Sequence, residues 1–447
     1  MRTIHEPIDS VRKLAGEQRF SDGIQYRRSS FCIEAECPEG RLLYHSLTGA
    51  FLLLEGSEGT DDSALRETLV RRWFLVPSDF DEIKHCDQIK TAARLLQRNK
   101  NSINHYTIFT TTDCNARCFY CFEHGQKRVS MTEQTAHDVA TYMLGHANGN
   151  RITIRWFGGE PLFNAQVIDV ISQELRDHGA DYEATMVSNA YLFDAKTIEK
   201  AKDLWNLHHV LITIDGTEEV YNRIKAYIYR DGSAYQRVLS NIDGLLDAGI
   251  SVTVNVSLDA QNAQIQLDLV DELGKRYGGR KNFAARAGLL IEYVGKIHAF
   301  ESCRAAMDTL NVLNTKLAGY GIREKPLLKT KLQLNSCMAD NDRNVTILPD
   351  GRIGRCEHFG DSEEVGSIYG GTWDAEKVKS WKALRPTEEG CKTCAAYPYC
   401  VRLKKCNASP EPCNPLFREQ RERDLYDKMQ NSYEKWKRDS ASETGGN

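Results

Sequence analysis

Three cysteines, Cys114, Cys118 and Cys121, fall within eight residues, and seven more, Cys337, Cys356, Cys391, Cys394, Cys400, Cys406 and Cys413, crowd the C-terminal part of the chain. Only Cys32, Cys37, Cys86 and Cys303 of the fourteen are scattered. A disulfide framework belongs to oxidising compartments and usually to small secreted domains. This chain has 447 residues, and its N-terminus, MRTIHEPIDSVRK, has no apolar signal core. In a reducing cytosol, close-spaced thiols read as metal or cluster ligands. Structural zinc takes four ligands, so the trio would have to borrow one. A four-iron cluster on three cysteines instead leaves one iron open, which makes it a reaction site as well as an electron carrier. By spacing alone both metals remain open, as they do for the C-x2-C pair Cys391 and Cys394.

Charge and hydropathy narrow the partners. A formal net charge of −4 gives no general attraction to nucleic acid or to an anionic membrane. The longest apolar run, residues 47–54, is too short to span a bilayer. A cytoplasmic protein is expected, with neither nucleic acid nor membrane as partner.

The elements that must position these cysteines read as alternating strands and helices. Strands are expected at 106–111, 151–157, 183–188, 210–214, 251–258 and 287–294, and helices at 130–147, 166–178, 233–248 and 261–277. Ser130 with Glu133 reads as a capping box, and Ser233 with Gln236 as a second cap. Such repeats imply an α/β fold with a parallel sheet or barrel, whose chemistry gathers at the C-terminal ends of the strands. The trio follows the first strand, Gly158-Gly159-Glu160-Pro161 the second, Ser188-Asn189 the third and Asp215-Gly216 the fourth. Before this core, strands at 27–37 and 41–54 and helices at 62–74 and 78–97 (the latter capped by Ser78) suggest a winged-helix-like module or an extension packed on the next domain. Leu425, Met429, Tyr433 and Trp436 sit at helical spacing near the end, and residues 440–447 read as a disordered tail.

The spacing C-x3-C-x2-C with Tyr120 before the last cysteine, together with Gly158-Gly159-Glu160 after the second strand, resembles the radical S-adenosylmethionine (SAM) superfamily. That resemblance implies a partial (β/α)6 TIM-like barrel and a [4Fe-4S] cluster on Cys114, Cys118 and Cys121. The open iron would chelate the methionine moiety of SAM, and an electron would break its sulfonium bond to give a 5′-deoxyadenosyl radical. Tyr120, Gly158, Gly159, Glu160, Ser188, Asn189 and Asp215 are the implied SAM-binding residues. Glu160 would either complement positive charge or brace its loop, and Arg223 or Lys225 would face the SAM carboxylate.

The C-terminal cysteines resemble a SPASM domain, a cysteine-rich iron–sulfur region. The resemblance implies two auxiliary [4Fe-4S] clusters, one on Cys337, Cys356 and Cys406, the other on Cys391, Cys394, Cys400 and Cys413. The five-residue gap from Cys400 to Cys406 and the single cysteine near Cys337 depart from the family pattern. The first auxiliary cluster would then have an open iron or borrow Cys303, Glu357 or His358. The expected division is 1–100, a leader-peptide recognition module; 101–325, the barrel; 326–415, the SPASM domain; and 416–447, a C-terminal helix and tail. Such enzymes modify peptides, which implies a precursor peptide with a leader, an electron donor such as flavodoxin or ferredoxin, and a cross-link, foremost a cysteine thioether. The alternatives are an anaerobic sulfatase-maturing, formylglycine-generating enzyme and a non-catalytic zinc or iron–sulfur scaffold. No residue is singled out as catalytic acid or base.

Overall fold

The computed structural model describes the chain except residues 57–61, 99–101, 122, 124, 126, 260–261, 291–302, 324, 330–336, 359–362, 371–372, 407–412, 414 and 445–447. The N-terminal part runs β1 (Arg2–His5), α1 (Asp9–Ala15), β2 (Tyr26–Arg28), β3 (Cys32–Cys37), β4 (Gly40–His45), β5 (Phe51–Glu55), α2 (Ser63–Arg71), β6 (Leu75–Pro77) and α3 (Glu82–Arg98). Four of these strands form an antiparallel sheet in the order β1-β5-β4-β3, and β2 pairs with β6. The single strand expected at 41–54 is two strands, because the chain turns at Gly49, whose φ of 74° is left-handed. Ser78 is not the cap of α3. It bonds back to the Gln25 carbonyl, and Asp81 receives the Lys84 N–H at the true helix start.

The barrel segment follows as β7 (His105–Phe109), α4 (Glu133–Ala147), β8 (Ile152–Phe157), α5 (Ala165–Asp177), β9 (Tyr182–Ser188), α6 (Ala195–Asp203), β10 (Leu207–Ile214), α7 (Glu218–Lys225), α8 (Ala234–Asp247), β11 (Ser251–Leu258), α9 (Ala263–Tyr277), β12 (Phe283–Leu289) and α10 (Cys303–Gly319). Strands β7 to β12 pair in sequence order, each parallel to the next. This is the six-stranded partial barrel, with one sheet face under the helices. On that face Ile154, Trp156, Ala184, Met186, Val210 and Val254 are fully buried, and the alternate residues of each strand point to the uncovered face.

Two differences from the sequence reading concern helix starts and extra helices. Thr132, not Ser130, caps α4 by accepting the Thr135 N–H, while Ser130 bonds Thr111 across a short bridge that holds the cysteine loop. Ser233 caps α8 through the Gln236 N–H, as its spacing implies. Helices α6, α7 and α10 were not anticipated. The sixth strand lies at 283–289 rather than 287–294, and 291–294 fall outside the described residues.

The C-terminal part contributes β13 (Asn344–Ile347), β14 (Arg352–Gly354), β15 (Gly366–Ser367), α11 (Ala375–Trp381) and α12 (Pro415–Thr444). Strand β13 lies parallel to β7, so the cysteine-rich region extends the barrel sheet to nine strands. Arg355, fully buried, ties this junction by donating to the carbonyls of Asn344, Ala339 and Asn341 at 3.1, 3.2 and 2.8 Å. Helix α12 runs to Thr444, into the expected tail, because no helix breaker occurs before Gly445. Its Leu425, Met429 and Tyr433 are buried in a core that also contains Phe31, Tyr44 and Tyr397. The N-terminal module, the cysteine-rich region and α12 therefore share one core. Among the described residues, no helix is long and apolar enough to cross a membrane.

Candidate functional site

The loop after β7 carries the trio, and its backbone is held from three sides. The amides of Gly159 and Glu160 donate to the carbonyls of Thr111 and Asp113, each at 3.0 Å. A Cβ on Gly158 would sit 2.2 Å from the Thr111 carbonyl oxygen, and one on Gly159 would sit 2.3 Å from that of Asp113. Both positions therefore need glycine, and the close approach they permit is to the cysteine loop. From the far side, Arg117 N–H donates to the Lys225 carbonyl and Ile228 N–H to that of Asn115. Asn189 reaches in from the end of β9, its Nδ2 2.7 Å from Asn115 Oδ1 and 3.7 Å from Cys114 Sγ.

Glu160 braces its loop through three hydrogen bonds. Its buried carboxylate accepts Leu162 N–H, Ser188 Oγ–H and Asn189 N–H at 3.1, 2.9 and 2.8 Å. Burial pushes its pKa up to about 7, while those hydrogen bonds and Lys225 pull the other way. The carboxylate thus links the Gly-Gly-Glu turn to the Ser188-Asn189 turn.

Tyr120, Asp215 and Lys225 form a second buried group. Tyr120 OH donates to Asp215 Oδ2 at 2.6 Å, Lys225 Nζ lies 2.9 Å from the same oxygen, and Nζ reaches Tyr120 OH at 3.1 Å. Burial opposes the charge on Lys225, but Asp215 and Tyr120 outweigh it and hold the ammonium protonated. Arg223 is exposed, so of the two cations only Lys225 faces inward. Asp215 Oδ1 and Asn115 Nδ2 are buried without a hydrogen-bond partner among the described residues. One unpaired acceptor and one unpaired donor close to the cysteine loop are what a polar ligand would satisfy, and SAM brings both an ammonium and hydroxyls. Asn115 escaped the sequence reading, although it directly follows Cys114.

The ten clustered cysteines fall into three groups, all of them free thiols. Burial pushes the Cys114 thiol up to about 12, with Glu160, Cys118 and Cys121 close enough to add to it. Burial likewise raises Cys356 to about 12, with Cys337 and Cys406 as neighbours. Glu357 Oε2 pairs with Arg155 of β8 at 3.2 Å, and the His358 amide lies 3.4 Å from Cys356 Sγ. The side chain of Cys303 lies outside the described residues. In the third group Cys394 is raised by burial to about 11, with Cys400 and Cys391 nearby, and Cys413 is raised by burial beside Cys400. Cys391, Cys400 and Cys413 line a cavity of about 460 Å³, and Arg421 donates to Cys400 Sγ at 3.2 Å.

Among the described residues no three ligand side chains converge on a point suited to one metal ion. Thiolates of a four-iron cluster each bind a different iron and so stand further apart than ligands to one ion. Each of the three groups supplies cysteine thiols, the donor type that a [4Fe-4S] cluster takes.

The comparisons with known proteins agree with this geometry. Residues 108–260 match the model of the Radical SAM superfamily. Over 120 residues the chain is 32% identical to the uncharacterized protein MJ0907 of Methanocaldococcus jannaschii, covering 26% of this chain and 41% of that one. Over 216 residues it is 26% identical to the GTP 3′,8-cyclase of Sulfurovum sp., covering 47% and 61%. The chain thus spans less than two thirds of these curated relatives. Among solved structures it resembles anSMEcpe with bound AdoMet and Cp18Cys peptide, at 15% identity and a TM-score of 0.58, over 75% of this chain and 99% of that one. It also resembles Streptococcus suis SuiB bound to precursor peptide SuiA, at 13% identity and a TM-score of 0.52, over 84% and 95%. At such identities these likenesses speak for the fold. Residues 108–260 thus carry a radical SAM domain, and that domain implies a [4Fe-4S] cluster and SAM as cofactors.

Proposed function

We propose that this chain is a radical SAM enzyme, a peptide maturase that installs a cross-link, foremost a cysteine thioether, in a ribosomally made precursor peptide. In this reading residues 1–100 capture the leader, 101–325 hold SAM, 326–415 hold two auxiliary [4Fe-4S] clusters and 416–447 clamp the ends together. The bound cluster and SAM would supply a hydrogen-abstracting radical. Tyr120, Gly158, Gly159, Glu160, Ser188, Asn189 and Asp215 would bind or brace SAM, with Lys225 fixing Asp215 and Tyr120.

The observation that carries the reading is how the N-terminal sheet docks. Tyr44 OH lies 2.5 Å from Tyr399 OH, Ser46 Oγ donates to the Ala395 carbonyl, and Lys90 Nζ donates to the carbonyls of Tyr397 and Cys400 at 3.0 and 3.1 Å. A sheet with edges at β1 and β3 is thus fixed beside the third cysteine group, and adding a peptide strand to a sheet edge is a general mode of capture. SuiB, the neighbour solved with a precursor peptide, aligns with 84% of the chain. Among the described residues Cys356 has Glu357, Cys337 and Cys406 as neighbours; a fourth place left open on that cluster would take a substrate thiolate, which is the reason for placing a thioether first.

A second reading, cyclisation of GTP, is favoured by the curated relatives. The test is anaerobic. Iron and sulfide are counted, SAM and a strong reductant are added, and the protein is then incubated separately with a precursor peptide encoded beside its gene and with GTP. About twelve irons per chain, 5′-deoxyadenosine, and a peptide that loses two hydrogens and its free thiol are expected. Formylglycine in the peptide would move the assignment to sulfatase maturation, and a cyclised GTP product to the second reading. Zinc in place of iron with no SAM cleavage would leave a structural scaffold.

A further inference from the structure

Among the described residues the parallel sheet has one face under helices and one face uncovered, and the uncovered face is mostly polar. On β8, Arg155 alternates with the buried Ile154 and Trp156. On β10, His209 precedes the buried Val210, and on β12, Arg286 follows the buried Ala285. Strand register sets Arg155 beside Thr185 and Thr185 beside His209, while Arg286 lies beside Asn255. His209 is held by Thr253 Oγ1 at 2.9 Å. Its pKa is lowered by burial first, then by the charges of His208, Arg286 and Arg155, so both arginines are near enough for it to sense. Arg155 and Arg286 thus share this face with a histidine that burial keeps neutral.

Its cations are not equally answered. Arg155 is paired with Glu357 at 3.2 Å, and the acidic residue of the same face, Glu183, is taken up by Arg151 at 3.1 Å. Arg286 is exposed and has no carboxylate partner among the described residues. It lies at the midpoint of β12. A planar guanidinium with free donors is suited to a carboxylate, which it can hold through two parallel hydrogen bonds.

We infer that Arg286 is a specificity residue, selecting a peptide segment that carries an aspartate or glutamate side chain and laying it along the uncovered sheet face. This rests on the peptide-maturase reading and adds the chemistry of the segment. The occupant is acidic because, among the described residues, Arg286 stands on this face without a carboxylate partner, whereas a basic segment would meet like charge there.

The test uses the full chain, purified and loaded with iron without oxygen, to select from a random heptapeptide library read by mass spectrometry. The wild-type protein should enrich peptides with Asp or Glu over their amide counterparts, about tenfold in affinity for a matched pair. Arg286→Gln should abolish that preference, and Arg286→Glu should turn it towards Lys and Arg. Iron content and melting temperature confirm that each variant folds. Peptides retained without acidic preference, or a preference that survives in Arg286→Gln, would overturn the inference and leave the maturase reading standing. No peptide retained at all would remove both.

Discussion

Glu160 shows how one side chain can sit in a binding motif yet act through its neighbours. Its carboxylate is engaged by Leu162, Ser188 and Asn189, so Glu160→Gln would place an amide N–H₂ against one of these donors. A buried donor left facing another donor costs about 1–3 kcal/mol. The variant should therefore melt at a lower temperature and bind SAM more weakly, because the Ser188-Asn189 turn loses its anchor. Calorimetry with and without SAM checks this. Weaker SAM binding at unchanged melting temperature would instead make Glu160 a direct ligand. The glycines beside it act sterically, since added Cβ atoms would collide with Thr111 and Asp113 carbonyls.

Among the elements, the N-terminal sheet carries a pH-sensitive group. His45 at the end of β4 is fully buried; Thr48 N–H donates to its Nδ1 at 3.2 Å, which leaves Nε2–H to donate to Ser29 Oγ at 3.0 Å. Burial lowers its pKa to about 4, with Glu82 opposing. The unfolded chain therefore binds a proton between about pH 6.5 and about pH 4 that the folded one does not, and stability falls as pH falls through that window. The expected loss is of order 2 kcal/mol between pH 8 and pH 5. Urea unfolding followed across this range should show it, and His45→Gln should flatten the slope. A slope unchanged by the substitution would assign the acid sensitivity elsewhere.

At the scale of the whole molecule, the two ends of the chain are folded as one body. Leu425, Met429 and Tyr433 of α12 pack in the same core as Phe31 and Tyr44 of the N-terminal sheet and Tyr397 of the cysteine-rich region. Removing α12 after Cys413 should therefore destabilise the N-terminal module as well as the third cysteine group. Hydrogen exchange should show β3, β4 and β5 losing protection while β8 to β11 keep theirs. Unchanged protection of β3 to β5 would mean that the module folds on its own.

The barrel strands and the placing of the candidate site residues at their ends were legible in the sequence because both depend on local signals. Alternating apolar residues mark each strand, and the trio, the Gly-Gly-Glu turn and Asp215 each follow a strand end. Helix caps were less so. Ser130 has the residue type of a cap, yet it bonds Thr111 across the chain while Thr132 starts α4. What tertiary structure alone decided involves residues far apart in sequence. Only packing could choose Lys225 over Arg223 and join β13 to β7. A side chain's type and spacing state what it could do. Which groups meet it, and which are left unpaired, is fixed by contacts that no local pattern encodes.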